Sequence, residues 1–462
     1  MSNDILYMSI TEIGRLYRSR ELSPVDVVKA ALERLDQVED MLNAFITVLH
    51  EQALADAHTA EKDLQEGRDL GPLHGIPFSL KDIYDTAGIR TTAGSRHWQD
   101  RVPQQTAESA QRLLNAGGIL IGKCNLLEFA YGIVHEDYGQ CNNPWNSERT
   151  AGGSSSGSAA SIAAGIGWGS LGTDTGGSIR IPASYCGIVG LKPTYGRVSR
   201  HGVFPLSWSL DHAGTLARSV EDTAILLKII AGHDPKDPSS SNAPVPDYKD
   251  GKELGLKGMR VGVLEHHMNH PDLRPKVSEV TWQAVNLLGE LGAELKTVSI
   301  PDIDLADEAM LQSILPEATL AHEAMLKQAP EKYAEITRQQ LELGTMLTAV
   351  DYLKAHQYRA RLLESFLAVL NDVDVIVNPT VAFEAPAEDP VVAAGQGSDE
   401  ARRTGIYNLT GLPAVTVPCG FGQDNLPLGL QFAGRPMAET VILRAAWAYE
   451  QAAGWYNKYP AL

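Results

Sequence analysis

The chain has 462 residues, 44% hydrophobic and 21% charged, an ordinary globular composition with more length than a single core needs. Its 39 basic against 57 acidic residues give a formal charge of −18. That argues against a nucleic-acid or anionic-membrane surface, because both need clustered Lys and Arg; the plain role of such a charge is to keep the chain in solution.

The opening Met1-Ser-Asn-Asp-Ile-Leu-Tyr7 has no basic stretch followed by an apolar core, so no signal peptide is expected. No run of about 18 apolar residues occurs, so no membrane span is expected. Two helices come first. Ser9-Ile-Thr-Glu12 has capping-box spacing ahead of Ile13, Leu16 and Tyr17 on one face. Ser23-Pro24 places a cap before a proline at the first helical position, and Val27, Val28, Ala31, Leu32 and Leu35 continue at helical spacing. Short apolar runs bounded by glycine, proline or charge follow: 76–80 ending at Lys81, 119–121 ending at Gly122-Lys123, then 260–264, 373–377, 414–417 and 428–432. These read as buried strands. Helical patterns lie between them at 107–114, 277–291 and 348–370. Alternating strands and helices predict an α/β architecture. Residues 234–257 and 384–402, rich in proline, small and acidic residues, read as long loops, either lids over a site or surface excursions. Nothing demands a second domain, so 1–462 is expected to be one unit. Cys124, Cys141, Cys186 and Cys419 form no Cys-x-x-Cys pair, which suggests neither a zinc ribbon nor a disulfide framework and fits a cytoplasmic location.

The most unusual composition lies between Ala151 and Pro182, in Ala151-Gly-Gly-Ser-Ser-Ser-Gly-Ser158 and Gly169-Ser-Leu-Gly-Thr-Asp-Thr-Gly-Gly-Ser-Ile-Arg-Ile-Pro182. Glycine lets backbone N–H groups approach a ligand. Three generic motifs fit here or nearby, and each fails on context. Gly117-x-x-x-x-Gly122-Lys123 has phosphate-loop spacing, but Cys124 replaces the hydroxyl residue that would hold magnesium, and 119–121 reads as strand. Gly167-Trp-Gly169-Ser-Leu-Gly172 fits a dinucleotide fingerprint, but it follows a predicted helix at 159–164 instead of a strand. Gly153-Ser-Ser155-Ser-Gly157 fits a nucleophile elbow, but polar residues 143–149 precede it, and the last histidine, His356, lies in a predicted helix.

Serine chemistry without histidine needs another base. A lysine serves where burial lowers its pKa enough to leave the amine neutral. Lys81 stands where a chain leaves a buried sheet and presents a side chain at a site; on position alone, a strand-end lysine reaching solvent is the competing reading.

Three blocks change this balance: Gly75-Ile-Pro-Phe-Ser-Leu-Lys-Asp82, Gly152-Gly-Ser-Ser-Ser-Gly-Ser-Ala159, and Gly172-Thr-Asp-Thr-Gly-Gly-Ser-Ile-Arg180 continuing through Cys186-Gly-Ile-Val-Gly-Leu-Lys-Pro-Thr-Tyr-Gly196. With Pro379-Thr380 and Gly411-Leu-Pro-Ala-Val-Thr-Val-Pro418, they resemble the amidase signature family. The resemblance spans the chain, is densest over residues 75–222 and weakest over 265–350. It implies a large mixed sheet covered by helices on both faces. It also implies a Ser–cisSer–Lys triad, with Lys81 as base, Ser154 as the bridging serine on a cis peptide bond, and Ser178 as nucleophile. The 24-residue separation from Ser154 to Ser178 agrees with the family pattern. Ser178 Oγ would attack an amide carbonyl, passing its proton through Ser154 to Lys81. Backbone N–H groups of Thr175, Gly176, Gly177 and Ser178 would form the oxyanion hole, and water would release the acyl group. No metal or organic cofactor is implied. Ser155, Ser156 and Ser158 would line or brace the site. Asp174 and Arg180 would orient the loop, pair with each other, or, for Arg180, contact a polar substrate group. Tyr131 matches a substrate-pocket position, with ordinary aromatic packing as the competing reading.

Arg359 falls where one branch of the family, the glutaminase A subunits of glutamyl/aspartyl-tRNA amidotransferases, places an arginine for the glutamine α-carboxylate. Yet Leu315-Pro-Glu-Ala-Thr-Leu-Ala-His322 stands where that branch carries a Ser/Ala/Asn/Arg/Tyr-rich block, and Leu206-Ser-Trp-Ser-Leu-Asp211 reads like the free-standing amidases. The expected activity is therefore hydrolysis of a small-molecule carboxylic amide, or a related carbamate or urea-type bond, with specificity set by the divergent 265–400 region. The amidotransferase glutaminase is the alternative. No nucleic-acid or membrane partner is expected, and family members are often dimers, which leaves a homodimer open.

Overall fold

Ser9 caps the helix Ile10–Ser19 by accepting the Glu12 N–H through its hydroxyl, and Ser23 does the same for Asp26 at the head of Pro24–Leu42. These caps begin a computed structural model that describes residues 5–390 and 396–462. Residues 1–4 of the opening stretch read for a leader lie outside the described residues.

Eleven strands form one sheet: β1 Phe45–Val48, β2 Pro77–Lys81, β3 Ile119–Cys124, β4 Gly169–Asp174, β5 Val189–Lys192, β6 His212–Ala217, β7 Arg260–Leu264, β8 Glu294–Val298, β9 Val375–Pro379, β10 Ala414–Phe421 and β11 Pro427–Ala433. Their order is β1-β3-β2-β4-β6-β5-β10-β11-β9-β7-β8. The sheet is mixed. β2 runs parallel to β3 and β4, and β9 to β7, while β4–β6, β5–β6 and β10–β11 are antiparallel. Both faces are covered. Leu120 packs into one apolar cluster, while its neighbours Ile119 and Ile121 pack into another, as alternation along a strand requires.

The predicted strands are present, with shifted ends. The 119–121 run continues through Gly122 and Lys123 to Cys124, because Lys123 is buried against Asp82 at 3.0 Å. β9 starts two residues later than predicted, at Val375, and β10 extends to Phe421. Five strands were not among the predicted runs: β1, β4, β5, β6 and β8. β4 is the instructive one. A Cβ at Gly169 would lie 2.4 Å from Leu226 Cδ1, and one at Gly172 2.8 Å from both Leu216 Cδ1 and Ser155 Oγ. The strand is glycine-rich because helices and side chains press on it from both sides. β3 and β4 also absorb the phosphate-loop and dinucleotide spacings, leaving neither as an open loop.

Of the predicted 384–402 loop, residues 391–395 lie outside the described residues. From Gln396 to Leu409 the chain is helical, which corrects that loop's end. Ion pairs dock this helix: Arg402 to Asp307 at 2.8 Å and Arg403 to Asp272 at 2.6 Å. The 234–257 loop holds one short 3-10 helix, Lys252–Leu254, and is pinned by Ser199 Oγ donating to Asp234 at 2.6 Å. Among the described residues no helix is long and apolar enough to cross a membrane.

Candidate active site

Lys81, Ser154 and Ser178 arrive from three separate elements. Lys81 ends β2, beside the carboxyl end of its parallel neighbour β4, the edge where α/β sheets place ligands. Ser154 follows a cis Gly153–Ser154 peptide and precedes the Ser156–Ala163 helix. A Cβ on Gly153 would lie 2.5 Å from Leu127 Cδ1, so a larger residue there would force the Leu127 side chain to move. Ser178 stands two residues before the Arg180–Cys186 helix.

Lys81 is fully buried. Its Nζ donates to Ser154 Oγ at 2.7 Å and to Thr173 Oγ1 at 2.8 Å. Among the described residues no carboxylate pairs with it, unlike Lys123. Burial lowers its pKa from 10.5 to about 7, against the opposing pull of the Asp174 and Asp211 charges. A lysine held by hydroxyls alone is neutral over part of the physiological range.

Ser154 and Ser178 line one cavity with Thr175 and Gly176. Ser178 is half-buried, and its carbonyl accepts the Ser155 N–H at 3.2 Å. Among the described residues no group accepts the N–H of Gly176, Gly177 or Ser178. Gly177 has φ +143°, and a Cβ there would lie 2.3 Å from Thr404 Oγ1. The carbonyl of Gly176 is itself fixed, accepting Thr404 Oγ1 at 2.6 Å. The loop is thus held through its carbonyls, and its N–H groups are left over.

The remaining predicted residues divide by position. Tyr131 lines the cavity, and its buried hydroxyl has no hydrogen-bond partner among the described residues. Ser155 is away from the cavity; its Oγ donates to the Thr173 carbonyl at 3.2 Å and so braces the loop. Ser156 and Ser158 similarly donate to the carbonyls of Asn125 and Leu171. Asp174 and Arg180 are both fully buried and form a two-pronged pair, Nε to Oδ2 at 3.0 Å and Nη2 to Oδ1 at 2.9 Å. Burial alone would raise the Asp174 pKa, but the Arg180 charge holds it far below the usual carboxylate range. Arg180 also donates to Thr404 O, Gln431 Oε1 and Asn408 Oδ1, which leaves it outside substrate reach. Arg359 does not reach the cavity. Its guanidinium donates to Leu409 O, Ser209 Oγ and Ser209 O at 2.7–3.0 Å.

Because breaking a buried pair strands the remaining charge, Arg180→Ala is expected to cost about 3–5 kcal/mol of stability in urea unfolding. A loss below about 1 kcal/mol would show that the pair does not hold the loop.

Four residues that had no role assigned from sequence complete the site. Thr173 is the second acceptor for Lys81. Asp211 accepts Thr175 Oγ1 at 2.6 Å, and burial raises its pKa to about 6. Thr404 and Asn408, from the Gln396–Leu409 helix, fix Gly176 and Asp174 across more than two hundred positions. Sequence held no signal for these long-range pairings. The far wall of the cavity is apolar, built from Leu206, Met310, Leu311, Ile314 and Ile406. Three of these come from the Ala306–Gln328 helix of the divergent region.

A family model described as Amidase matches residues 26–443. An amidase of Pseudomonas putida is 41% identical over 464 residues, covering 98% of both proteins. The A subunit of the glutamyl-tRNA(Gln) amidotransferase from a Cyanothece species is 38% identical over 489 residues, covering 98% of this chain and 100% of the relative. Among solved structures, the peptide amidase of Stenotrophomonas maltophilia matches with a TM-score of 0.85 at 31% identity, over 97% of both chains.

Proposed function

The chain belongs to the amidase signature family and is a hydrolase of carbon–nitrogen bonds, and from that premise we propose that it cleaves a small-molecule amide through an acyl-enzyme on Ser178. The single observation that carries this reading is the 2.7 Å hydrogen bond from buried Lys81 to Ser154, beside a cavity that Ser178 shares. Neutral Lys81 draws the Ser154 proton as Ser154 takes the proton of Ser178 Oγ, which attacks the carbonyl carbon. The developing oxyanion meets the unpaired N–H groups of the 175–178 loop. The relay run backwards protonates the leaving nitrogen, and water then attacks the acyl ester.

The apolar wall of Met310, Leu311 and Ile314 favours an amide with an apolar acyl or amine part over glutamine. Arg402 is the cationic side chain among the described lining residues, and it pairs with Asp272, Asp307 and Asp399. With Arg359 also bound elsewhere, a free α-carboxylate finds no open cation among the described residues that line this cavity. A carbamate or urea-type bond uses the same machinery. The full-length similarity to amidotransferase A subunits supports the second reading, a glutaminase supplying ammonia to a partner protein.

The test is a panel of primary amides, anilides, carbamates, ureas and glutamine, given to the purified single chain. Turnover of an apolar amide without added subunits is the expected result. Turnover of glutamine alone, and only with partner subunits present, would establish the second reading instead.

A further inference from the structure

Beyond β7 the chain reads Glu265-His-His-Met-Asn-His-Pro-Asp272 and folds as a short helix, Glu265–Asn269, with His270 at its end. The four-residue spacing puts the His266 and His270 rings on one face, with centroids 5.1 Å apart. Asp304, in the Ile303–Leu305 turn, comes from the other side, with Oδ1 3.1 Å from His266 Nε2. One ring nitrogen from each histidine and one Asp304 oxygen all lie within 4.8 Å of one another. These residues line an open cleft of their own, apart from the Ser178 cavity.

The surroundings of His270 point to a ligand. Its Nδ1 lies 2.7 Å from Asp272 Oδ1, which leaves Nε2 as the free ring nitrogen. Asp272 is in turn held by Arg402 and Arg403. A carboxylate on the far nitrogen of an imidazole fixes the tautomer and direction that metal binding requires. Asp304 is three-quarters exposed, on a short surface turn. Small side-chain movements therefore close the three donors to the spacing set by metal–ligand bonds of about 2.0–2.2 Å. We propose that His266, His270 and Asp304 bind a divalent transition-metal ion, with water completing its coordination. Two imidazoles and one carboxylate suit Zn²⁺. The site has no part in the serine relay.

Calorimetric titration of the tag-free chain with Zn²⁺ tests the site, with Co²⁺ absorption as a second readout. One equivalent should bind. His266→Ala and His270→Ala should each weaken binding by about tenfold or more, and His58→Ala, at an exposed helix position, should leave it unchanged. Asp304→Asn should also weaken it, at a surface site where the fold is not at stake. No binding by the unmodified chain, or binding equal in the His266→Ala/His270→Ala double variant, would overturn the site.

Discussion

Ser178→Ala is expected to lower kcat/KM by about 10⁵-fold or more on whichever amide the chain turns over, with the fold unchanged. The size follows from the chemistry. Without the hydroxyl no acyl-enzyme forms, and the residual rate reflects only binding and oxyanion stabilisation. The fold should survive because Ser178 holds its neighbours through its backbone. Its carbonyl accepts the Ser155 N–H, and alanine keeps that carbonyl. Labelling by a fluorophosphonate should disappear in the same variant. Labelling that persists would remove Ser178 as nucleophile. Loss in Ser155→Ala alone would restore the elbow reading, although Ser155 Oγ is turned to the Thr173 carbonyl.

The local parts of this site were legible in the sequence, and the long-range parts were not. Ser9 and Ser23 cap helices as their spacing predicts, because capping is settled within four residues. Through their family resemblance, the three sequence blocks named Lys81, Ser154 and Ser178 together, and the fold brings Lys81 within 2.7 Å of Ser154 and both serines to one cavity. What the pattern hid was burial. β4 shows no apolar run because tight packing excludes side chains at Gly169 and Gly172. The same crowding that made the segment unreadable as a strand makes it a rigid base for the loop that follows. Arg180 illustrates the other limit. From sequence it could face substrate or Asp174, and only the position of the Gln396–Leu409 helix decides, by covering the guanidinium with Thr404 and Asn408.

The specificity wall lay furthest from view. Three of its residues, Met310, Leu311 and Ile314, sit where the family resemblance is weakest, and helical periodicity cannot say which face of Ala306–Gln328 meets a cavity. Pro316 inside that helix further interrupts the pattern. The expectation that 265–400 shapes the substrate did not name Met310, Leu311 or Ile314, the residues of that region that line the cavity.

Lys81→Met is expected to abolish turnover to the same degree as Ser178→Ala, since it fills the volume but removes the base. Lys81→Arg separates base from charge. A guanidinium stays protonated throughout the working range, so it supplies the positive charge and cannot accept a proton. Loss in both variants means the neutral amine is what matters, whereas substantial activity in Lys81→Arg would mean that a cation suffices. The pH profile carries the same distinction. Burial lowers the Lys81 pKa to about 7, so the protonated form dominates below that value and the competent neutral amine above it. The rate should fall about tenfold per pH unit on the acid side and level off above the inflection. A profile flat from pH 6 to 9, within about twofold, would remove lysine as the base. Thr173 sharpens the expectation. Its hydroxyl holds the amine at 2.8 Å without adding charge, so Thr173→Val should lower the rate by misplacing Lys81. Because Thr173 accepts from Nζ and so favours its protonated form, its removal should also shift the inflection to lower pH. A merely structural role for Thr173 would leave the inflection where it stands.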